Sequence, residues 1–219
     1  MSAQRPRVVV IDYDMGNRRS VEKALAHVGA ETCITRDRQE LERADALVLP
    51  GVGAFPTGIA NLRRFGLDEL ICERAAAGTP LLGICLGMQL LFDSSVELDQ
   101  QTPGLGLISG RVCALDAHGA RIPHIGWNDV RFERPSELTG ELPADGAPFY
   151  HVHSYVAHPE HAEDVIGTAV YGERFATIVG RGWTYGTQFH PEKSSRDGLT
   201  LLAAFVRLAE LARHAELQT

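Results

Sequence analysis

The chain has 219 residues and a net charge of −7; 44% of its residues are hydrophobic and 22% are charged. This size and composition are typical of a globular protein with one sizeable core. The acidic balance and the lack of an extended Lys/Arg run argue against nucleic-acid binding. No apolar stretch approaches the length of a membrane span, and Val8–Ile11 is too short for a signal-peptide core.

The four cysteines stand far apart and form no Cys-x-x-Cys pair. Without a secretory signal they are expected to be reduced thiols in a cytoplasmic protein. Three of them, Cys33, Cys72 and Cys113, are expected to be small buried apolar residues. No linker or repeat divides the sequence, so residues 1–219 are expected to form one domain.

Apolar runs alternate with helical patterns in the first half of the chain. Strands are predicted at Val8–Ile11, Thr32–Thr35, Ala46–Leu49 and Leu81–Ile84. Helices are predicted between the N-cap Asn17 and Gly29, around Leu41, and from Thr57 to Ala77 with an interruption near Gly66. This alternation is typical of βαβ units around a parallel sheet, whose ligands bind beyond the carboxyl ends of the strands.

The second half is rich in short β-like segments, followed by a helical pattern over Asp197–Glu216. The segments are Gly110–Leu115, Trp127–Phe132, Phe149–Ala157, Val165–Tyr171, Ala176–Arg181 and Thr184–Phe189. The predicted fold class is therefore α/β: a mostly parallel central sheet flanked by helices, with antiparallel strands added in the C-terminal half.

A cysteine follows the fourth predicted strand in the pattern Gly-x-Cys-x-Gly, which has the form of a nucleophile elbow with sulfur in place of the serine oxygen. The small neighbours Gly83 and Gly87 permit a sharp strand-to-helix turn that would present Cys85 at the end of the strand. The next helix would begin beside the sulfur, and its free N–H groups would favour the thiolate. From this motif alone, Cys85 fits a nucleophile or a buried structural cysteine equally well.

A cysteine nucleophile needs a base, and the base needs an orienting carboxylate. His190 follows a β-like run and precedes Pro191, which favours an extended chain. In an extended chain His190 and Glu192 lie on one side, so the imidazole could take the proton of Cys85 while the carboxylate orients it. The alternative is a loop histidine beside a surface glutamate.

The segment Pro50-Gly51-Val52-Gly53 closes the third predicted strand. Two glycines let the backbone approach a ligand closely and turn its N–H groups outward. The N–H groups of Val52 and Gly53, with the amide of Leu86, would receive the oxyanion of a tetrahedral intermediate. The alternative is an ordinary strand-to-helix turn; a phosphate loop is disfavoured because no Gly-Lys-Ser/Thr follows.

No metal and no cofactor are predicted. His151 and His153 lie two apart on a predicted strand and could face one ion, but no carboxylate or cysteine accompanies them at ligand spacing. On their own, Trp127 would be expected to pack and Lys193 to be a solvated charge.

Taken together, three motifs resemble those of the class I (triad) glutamine amidotransferases: Gly-Ile-Cys-Leu-Gly-Met-Gln at 83–89, Pro-Gly-Val-Gly at 50–53 and His-Pro-Glu at 190–192. The His-x-Gly-Trp-Asn and His-Pro-Glu-Lys-Ser motifs are similar to those of the glutaminase subunits of imidazole glycerol phosphate synthases. The resemblance implies a Cys-His-Glu triad that hydrolyses glutamine to glutamate and ammonia. It also implies a heterodimer with a (β/α)8-barrel cyclase. The cyclase would use the ammonia to make imidazole glycerol phosphate and AICAR, an aminoimidazole carboxamide ribotide, in histidine biosynthesis.

The resemblance implies a role for each matching residue. Cys85 would form a γ-glutamyl thioester, with His190 and Glu192 completing the triad. The peptide of Val52 matches a position that turns to complete the oxyanion hole. Positions near the bound glutamine are matched by Gly53, Gln89, Glu97, Ser154 and Tyr155. Positions at the partner interface or its gate are matched by Trp127, Tyr150 and Lys193.

Two residues depart from the family pattern: Asp14 stands where glycine is usual, and Arg18 where leucine is usual. A carboxylate at position 14 is expected to alter a turn or a contact with the partner, outside the triad. Two other functions are also compatible with these motifs. One is another enzyme on the same elbow, such as the glutaminase of a different synthase or a γ-glutamyl hydrolase. The other is a non-catalytic regulatory module on the same fold.

Overall fold

The structure is a computed structural model that describes residues 5–216. The first elements are β1 (Arg7–Ile11), α1 (Arg18–His27), β2 (Glu31–Thr35), α2 (Arg38–Glu42), β3 (Ala46–Gly51), α3 (Phe55–Arg64), α4 (Leu67–Ala76), β4 (Leu81–Cys85) and α5 (Leu86–Leu90). They are followed by β5 (Phe92–Ser95), β6 (Thr102–Pro103), β7 (Ile108–Ala114), β8 (His124–Phe132), β9 (Ala147–His153), β10 (Tyr155–Pro159), β11 (Val165–Tyr171), β12 (Glu173–Arg181), β13 (Thr184–Thr187) and α6 (Ser195–Glu216).

The centre of the sheet has the strand order β2-β1-β3-β4-β13, and every neighbouring pair in this part is parallel. Beyond β13 the pairs β13–β12, β12–β10 and β10–β7 are antiparallel, and β11, β8 and β9 extend the sheet as further antiparallel strands. The parallel pair β5–β7 lies near the other edge. The predicted fold class is confirmed: apart from the short antiparallel pair β5–β6, the antiparallel pairs are made by β7–β13, which lie almost entirely in the second half of the chain.

Helices cover both faces of the parallel strands, which explains their continuous apolar sequences. Val8 and Val10 of β1 belong to a hydrophobic cluster that contains residues of α1 and α6. Val9 and Ile11 point the opposite way, into a second cluster with residues of α3 and α4. Within residues 5–216, no helix combines the length and hydropathy needed to cross a membrane.

Several elements differ from their predictions. The predicted strand Phe149–Ala157 is wrong: the chain breaks at Ser154 into β9, which pairs with β8, and β10, which pairs with β7. The helix after Cys85 has only five residues, and β5 follows it within the same apolar run. The predicted break at Gly66 is confirmed, with φ +63 between α3 and α4. Three cysteines, Cys33, Cys72 and Cys113, are free but only half-buried.

Candidate active site

Three adjacent parallel strands end side by side at the candidate site. The register of β3 and β4 places Gly51 beside Cys85, and β13 ends at Thr187 on the other side of β4. The glycine loop after β3, the cysteine elbow and the segment that leads to His190 therefore share the carboxyl edge of the sheet. This is the place where ligands bind in parallel α/β sheets.

Cys85 sits on a strained turn between β4 and α5. Its backbone has φ +55 and ψ −111, and the residue is 6% exposed. A side chain at Gly83 would lie 2.6 Å from the carbonyl oxygen of Gly87, and one at Gly87 would overlap the carbonyl oxygen of Leu49. Such a backbone costs about 1–3 kcal/mol in a non-glycine residue, and strain of this kind clusters at functional sites. The elbow predicted from the two glycines is present.

His190 and Glu192 form the predicted pair. The Nδ1 of His190 faces Glu192 Oε1 at 2.9 Å, and both side chains are buried. The extended conformation predicted for His190 is confirmed, with φ −99 and ψ +94. The expectation that the chain stays extended as far as Glu192 is wrong: Pro191–Lys193 is a 3-10 turn, held by a 2.7 Å hydrogen bond from Ser194 Oγ to the carbonyl of His190. Because Nδ1 faces the carboxylate, Nε2 of His190 remains for the sulfur of Cys85.

The surroundings of His190 favour its charged form. Burial alone would lower its pKa, but the hydrogen bonds and charges of Cys85 and Glu192 outweigh burial and raise the pKa of His190 to about 9. The imidazolium form of His190 is therefore favoured where it lies, between the sulfur of Cys85 and the carboxylate of Glu192.

Asn17 supports the same carboxylate, although the sequence predicts a different role for it. Its Nδ2 donates to Glu192 Oε1 at 3.1 Å. Asn17 is the N-cap residue of α1, as predicted, but in the described part of the chain its side chain makes no capping hydrogen bond to the helix. Within the described residues, Glu192 Oε1 thus receives two donors while its Oε2 has no hydrogen-bond partner. No local signal could reveal this contact, since 175 positions separate the two residues.

A cavity of about 250 Å³ opens in front of Cys85. Its lining contains the nucleophile and every residue predicted for the oxyanion hole or for glutamine binding: Val52, Gly53, Cys85, Leu86, Gln89, Glu97, Ser154 and Tyr155. Pro123, Val152 and His153 complete it. A larger hollow of about 560 Å³ is lined by residues 132–144, but its lining contains neither cysteine nor histidine. The smaller cavity is therefore the candidate site.

Two polar side chains of the cavity are held in fixed orientations. Gln89 Nε2 donates to the carbonyl of Tyr155 at 3.1 Å and to Gln188 Oε1 at 3.0 Å. Glu97 Oε2 accepts from the N–H of Phe55 at 2.7 Å, at the start of α3. Within residues 5–216 the Oε1 atom of each side chain makes no hydrogen bond, so each can accept one from a ligand.

The loop between β1 and α1 packs against the glycine loop. A side chain at Gly16 would lie 2.9 Å from Gly51 Cα and 3.0 Å from the nitrogen of Val52. The hydroxyl of Tyr13 lies against Gly51; it is wholly buried and has no hydrogen-bond partner among residues 5–216. Burial and the charge of Cys85 raise the pKa of Tyr13. This loop therefore touches both the oxyanion loop and, through Asn17, the triad.

The two departures from the family pattern lie on the outer side of that loop. Asp14 has φ +62, a conformation that glycine adopts freely and that aspartate tolerates better than most residues. Its carboxylate pairs with Arg36, whose hydrogen bond lowers the pKa of Asp14. Arg18 pairs with Asp12. The turn is therefore compatible with aspartate at position 14.

Three buried histidines lie beside the cavity as a neutral cluster. His153 Nδ1 faces the carbonyl of Tyr155 at 3.1 Å, so its Nε2 accepts from His124 Nδ1 at 2.9 Å. Burial, together with neighbouring histidines, lowers the pKa of His151 and His153 to about 3. Among residues 5–216, no group of three or more His, Cys, Asp or Glu side chains has the arrangement of a metal site.

The predicted interface residues lie outside the cavity lining. Trp127 is 54% exposed, and its ring stands edge-to-face to Tyr150 with centroids 6.2 Å apart. Lys193 is exposed. Ile125, on the same face of β8 as Trp127, is 59% exposed, and Val52 at the cavity wall is 43% exposed. Apolar side chains therefore lie open to solvent on this part of the molecule.

Comparison with known proteins identifies the family. The model of the family described as glutamine amidotransferase class-I matches residues 9–208. The chain belongs to the class I glutamine amidotransferases. This membership confirms the resemblance drawn from the Gly-Ile-Cys-Leu-Gly-Met-Gln, Pro-Gly-Val-Gly and His-Pro-Glu motifs.

Individual relatives of this amidotransferase are similar along almost their whole length. The chain is 50% identical over 208 residues to the imidazole glycerol phosphate synthase subunit HisH of Moorella thermoacetica, covering 95% of this chain and 96% of that one. It is 48% identical over 202 residues to the subunit of the same name from Lactococcus lactis, covering 91% and 98%. A crystal structure of a glutamine amidotransferase has the same fold, with TM-score 0.72, 24% identity and coverage of 92% and 98%.

Proposed function

We propose that this chain hydrolyses glutamine to glutamate and ammonia as the glutaminase subunit of an imidazole glycerol phosphate synthase. The observation that carries the proposal is the cavity of about 250 Å³ that joins the strained Cys85 to the predicted oxyanion and glutamine-binding residues. The names of the relatives support the choice of synthase.

The triad geometry supports acyl transfer to sulfur. The thiolate of Cys85 attacks the side-chain carbonyl carbon of glutamine, and the imidazolium of His190 gives its proton to the departing nitrogen. Ammonia leaves, and a γ-glutamyl thioester remains on the sulfur. His190 then takes a proton from water, which attacks the thioester and releases glutamate. Glu192 orients the imidazole through the 2.9 Å contact to Nδ1.

The oxyanion of each tetrahedral intermediate is assigned to the backbone of two loops. The N–H of Leu86 follows the nucleophile at the start of α5, which is the usual place for one donor at a nucleophile elbow. The second donor is assigned to Val52 or Gly53, which line the same cavity as Leu86. Gly53 has φ +126, so its backbone already requires glycine.

Recognition of glutamine is assigned to the remaining polar groups of the cavity. The free Oε1 atoms of Gln89 and Glu97 are acceptors for N–H groups, and Glu97 adds a negative charge for the α-ammonium of glutamine. Ser154 and Tyr155 form the wall beside them. An amino acid with a side-chain amide fits this set of groups.

The acceptor of the ammonia is proposed to be a (β/α)8-barrel cyclase that forms a heterodimer with this chain in the cytoplasm. The exposed apolar residues Val52, Ile125 and Trp127 are suited to burial against a partner. Tyr150, which contacts Trp127, and the exposed Lys193 are assigned to the same interface. The cyclase would use the ammonia to form imidazole glycerol phosphate and AICAR. No cofactor takes part in the proposed glutamine hydrolysis.

The test uses Cys85→Ala in a reconstituted complex with the cyclase. Synthase activity with glutamine is expected to disappear, while activity with added ammonium salt stays at the wild-type level. Cys113→Ala is the matched control, because Cys113 is half-buried on β7 and is not part of the cavity lining. This variant is expected to leave both activities unchanged. Loss of the ammonia-dependent activity in Cys85→Ala would contradict the proposal that this chain supplies ammonia and the cyclase uses it.

A further inference from the structure

Gln188 is a buried polar residue whose two amide atoms both contact the candidate site. It lies between β13 and His190 and is 0% exposed. Its Nε2 donates to the sulfur of Cys85 at 3.8 Å, and its Oε1 accepts from Gln89 Nε2 at 3.0 Å. Its own N–H donates to the carbonyl of Thr177 at 2.8 Å, which holds the backbone against β12. The side chain is thus fixed between the nucleophile and the residue assigned to glutamine binding.

The contact with Gln188 determines which atom Gln89 can offer to a ligand. A primary amide has two N–H donors, and Gln89 uses one for the carbonyl of Tyr155 and the other for Gln188 Oε1. The amide therefore cannot turn over without breaking both hydrogen bonds. Gln89 is an acceptor toward the cavity, matched to an N–H donor of the substrate.

We propose that Gln188 is a positioning residue: one carboxamide holds Gln89 in its substrate-binding orientation and donates to the sulfur of Cys85. The inference rests on the proposed glutaminase function for its kinetic consequences. The two ends of the amide then contribute separately. The Oε1 end acts on the affinity for glutamine through Gln89, and the Nε2 end stabilises negative charge on the sulfur.

The test compares Gln188→Met, Gln89→Met and the double variant in the complex with the cyclase. Each single variant is expected to raise the KM for glutamine about tenfold, since a buried hydrogen bond is lost. The double variant is expected to have the KM of Gln89→Met alone, because Gln188 acts on binding through Gln89. A KM of the double variant raised by the product of the two single-variant increases would overturn this part of the inference.

The contact with sulfur is tested separately, by the rate at which iodoacetamide alkylates Cys85 at neutral pH, followed by mass spectrometry of the peptide. Gln188→Met is expected to slow this alkylation about three- to tenfold, as expected for one lost hydrogen bond. Gln89→Met is expected to leave it unchanged. Equal alkylation rates in wild type and Gln188→Met would overturn the role toward sulfur.

Gln188→Glu provides a second variant in case the methionine variant fails to fold. At pH 8 a carboxylate still accepts from Gln89 Nε2 but has no proton to donate to sulfur. The KM is expected to stay within about twofold of wild type while alkylation slows at least tenfold. A raised KM with unchanged alkylation would overturn the inference. The alkylation readout needs no glutamine turnover, so failure of the proposed function is distinguishable from failure of the role of Gln188.

Discussion

Replacing Asn17 by aspartate separates the two roles that this residue could have at the start of α1. Aspartate is as good an N-cap as asparagine, so a capping role would survive the change. The structure assigns the side chain to the triad instead: Nδ2 donates to Glu192 Oε1 at 3.1 Å. Aspartate removes this donor and places a second carboxylate beside a buried one. We therefore expect Asn17→Asp to damage catalysis while α1 stays as stable as in the wild type.

The magnitude follows from the type of hydrogen bond that is lost. A hydrogen bond to a charged group contributes about 1.5–3 kcal/mol, which corresponds to about 10- to 100-fold in rate if Glu192 can no longer hold His190 in place. Asn17→Ala removes the donor without adding charge, so its rate is expected to decrease by a factor at the lower end of this range. Asn17→Asp adds repulsion between two carboxylates and is expected to exceed it.

The assay measures glutamate formation by the complex with the cyclase, over a range of glutamine concentrations. We expect kcat to fall and KM to change little, because Asn17 is absent from the cavity lining. Urea denaturation of each variant serves as the control for folding. Wild-type kcat in a normally folded Asn17→Asp would refute the assignment, and would return Asn17 to the capping role that the sequence predicts.

Two further predictions concern stability. The unfolding free energy should decrease from pH 6.5 to pH 5 by about 2 kcal/mol for each of His151 and His153. In the folded protein these residues have a pKa of about 3 and stay neutral at pH 5, whereas in the unfolded chain they bind protons. Urea denaturation at both pH values should show a smaller decrease in unfolding free energy for His151→Gln than for the wild type. The exposed His158→Gln should show the same decrease as the wild type. An equal decrease in the wild type and both variants would contradict the reasoning. Tyr13→Phe removes a buried hydroxyl that has no hydrogen-bond partner in the described part of the chain. Thermal and urea unfolding should therefore show unchanged stability or a gain of about 1 kcal/mol. A clear loss of stability would mean that the hydroxyl has a partner in solution.

The elements that the sequence predicts well are those set by local chemistry. Gly83 and Gly87 must be small because their neighbours leave no room for a side chain, and this restriction is visible as a motif around Cys85. The pairing of His190 with Glu192 is also local, although a 3-10 turn and not an extended chain produces it. Apolar runs identify the inner parallel strands β1, β3 and β4 because both faces of those strands are buried, whereas the edge strand β2 is only partly buried.

The residues that support the site from a distance could not be predicted in this way. Asn17 reaches Glu192 across 175 positions, and Gln89 meets Gln188 across 99. These contacts exist because β1, β4 and β13 end at one edge of the sheet, which is a property of the strand order and not of any short segment. The break at Ser154 has a similar origin, because it separates β9, which pairs with β8, from β10, which pairs with β7.

The most direct measurement of the central claim follows the amide nitrogen of glutamine through the complex. Wild-type chain and the cyclase are supplied with glutamine labelled with ¹⁵N at the side-chain amide, together with the substrate of the cyclase. We predict that the label appears in the imidazole product, that one glutamate forms for each labelled product, and that Cys85→Ala abolishes both signals. Labelled product formed by Cys85→Ala would contradict the claim that this sulfur releases the ammonia.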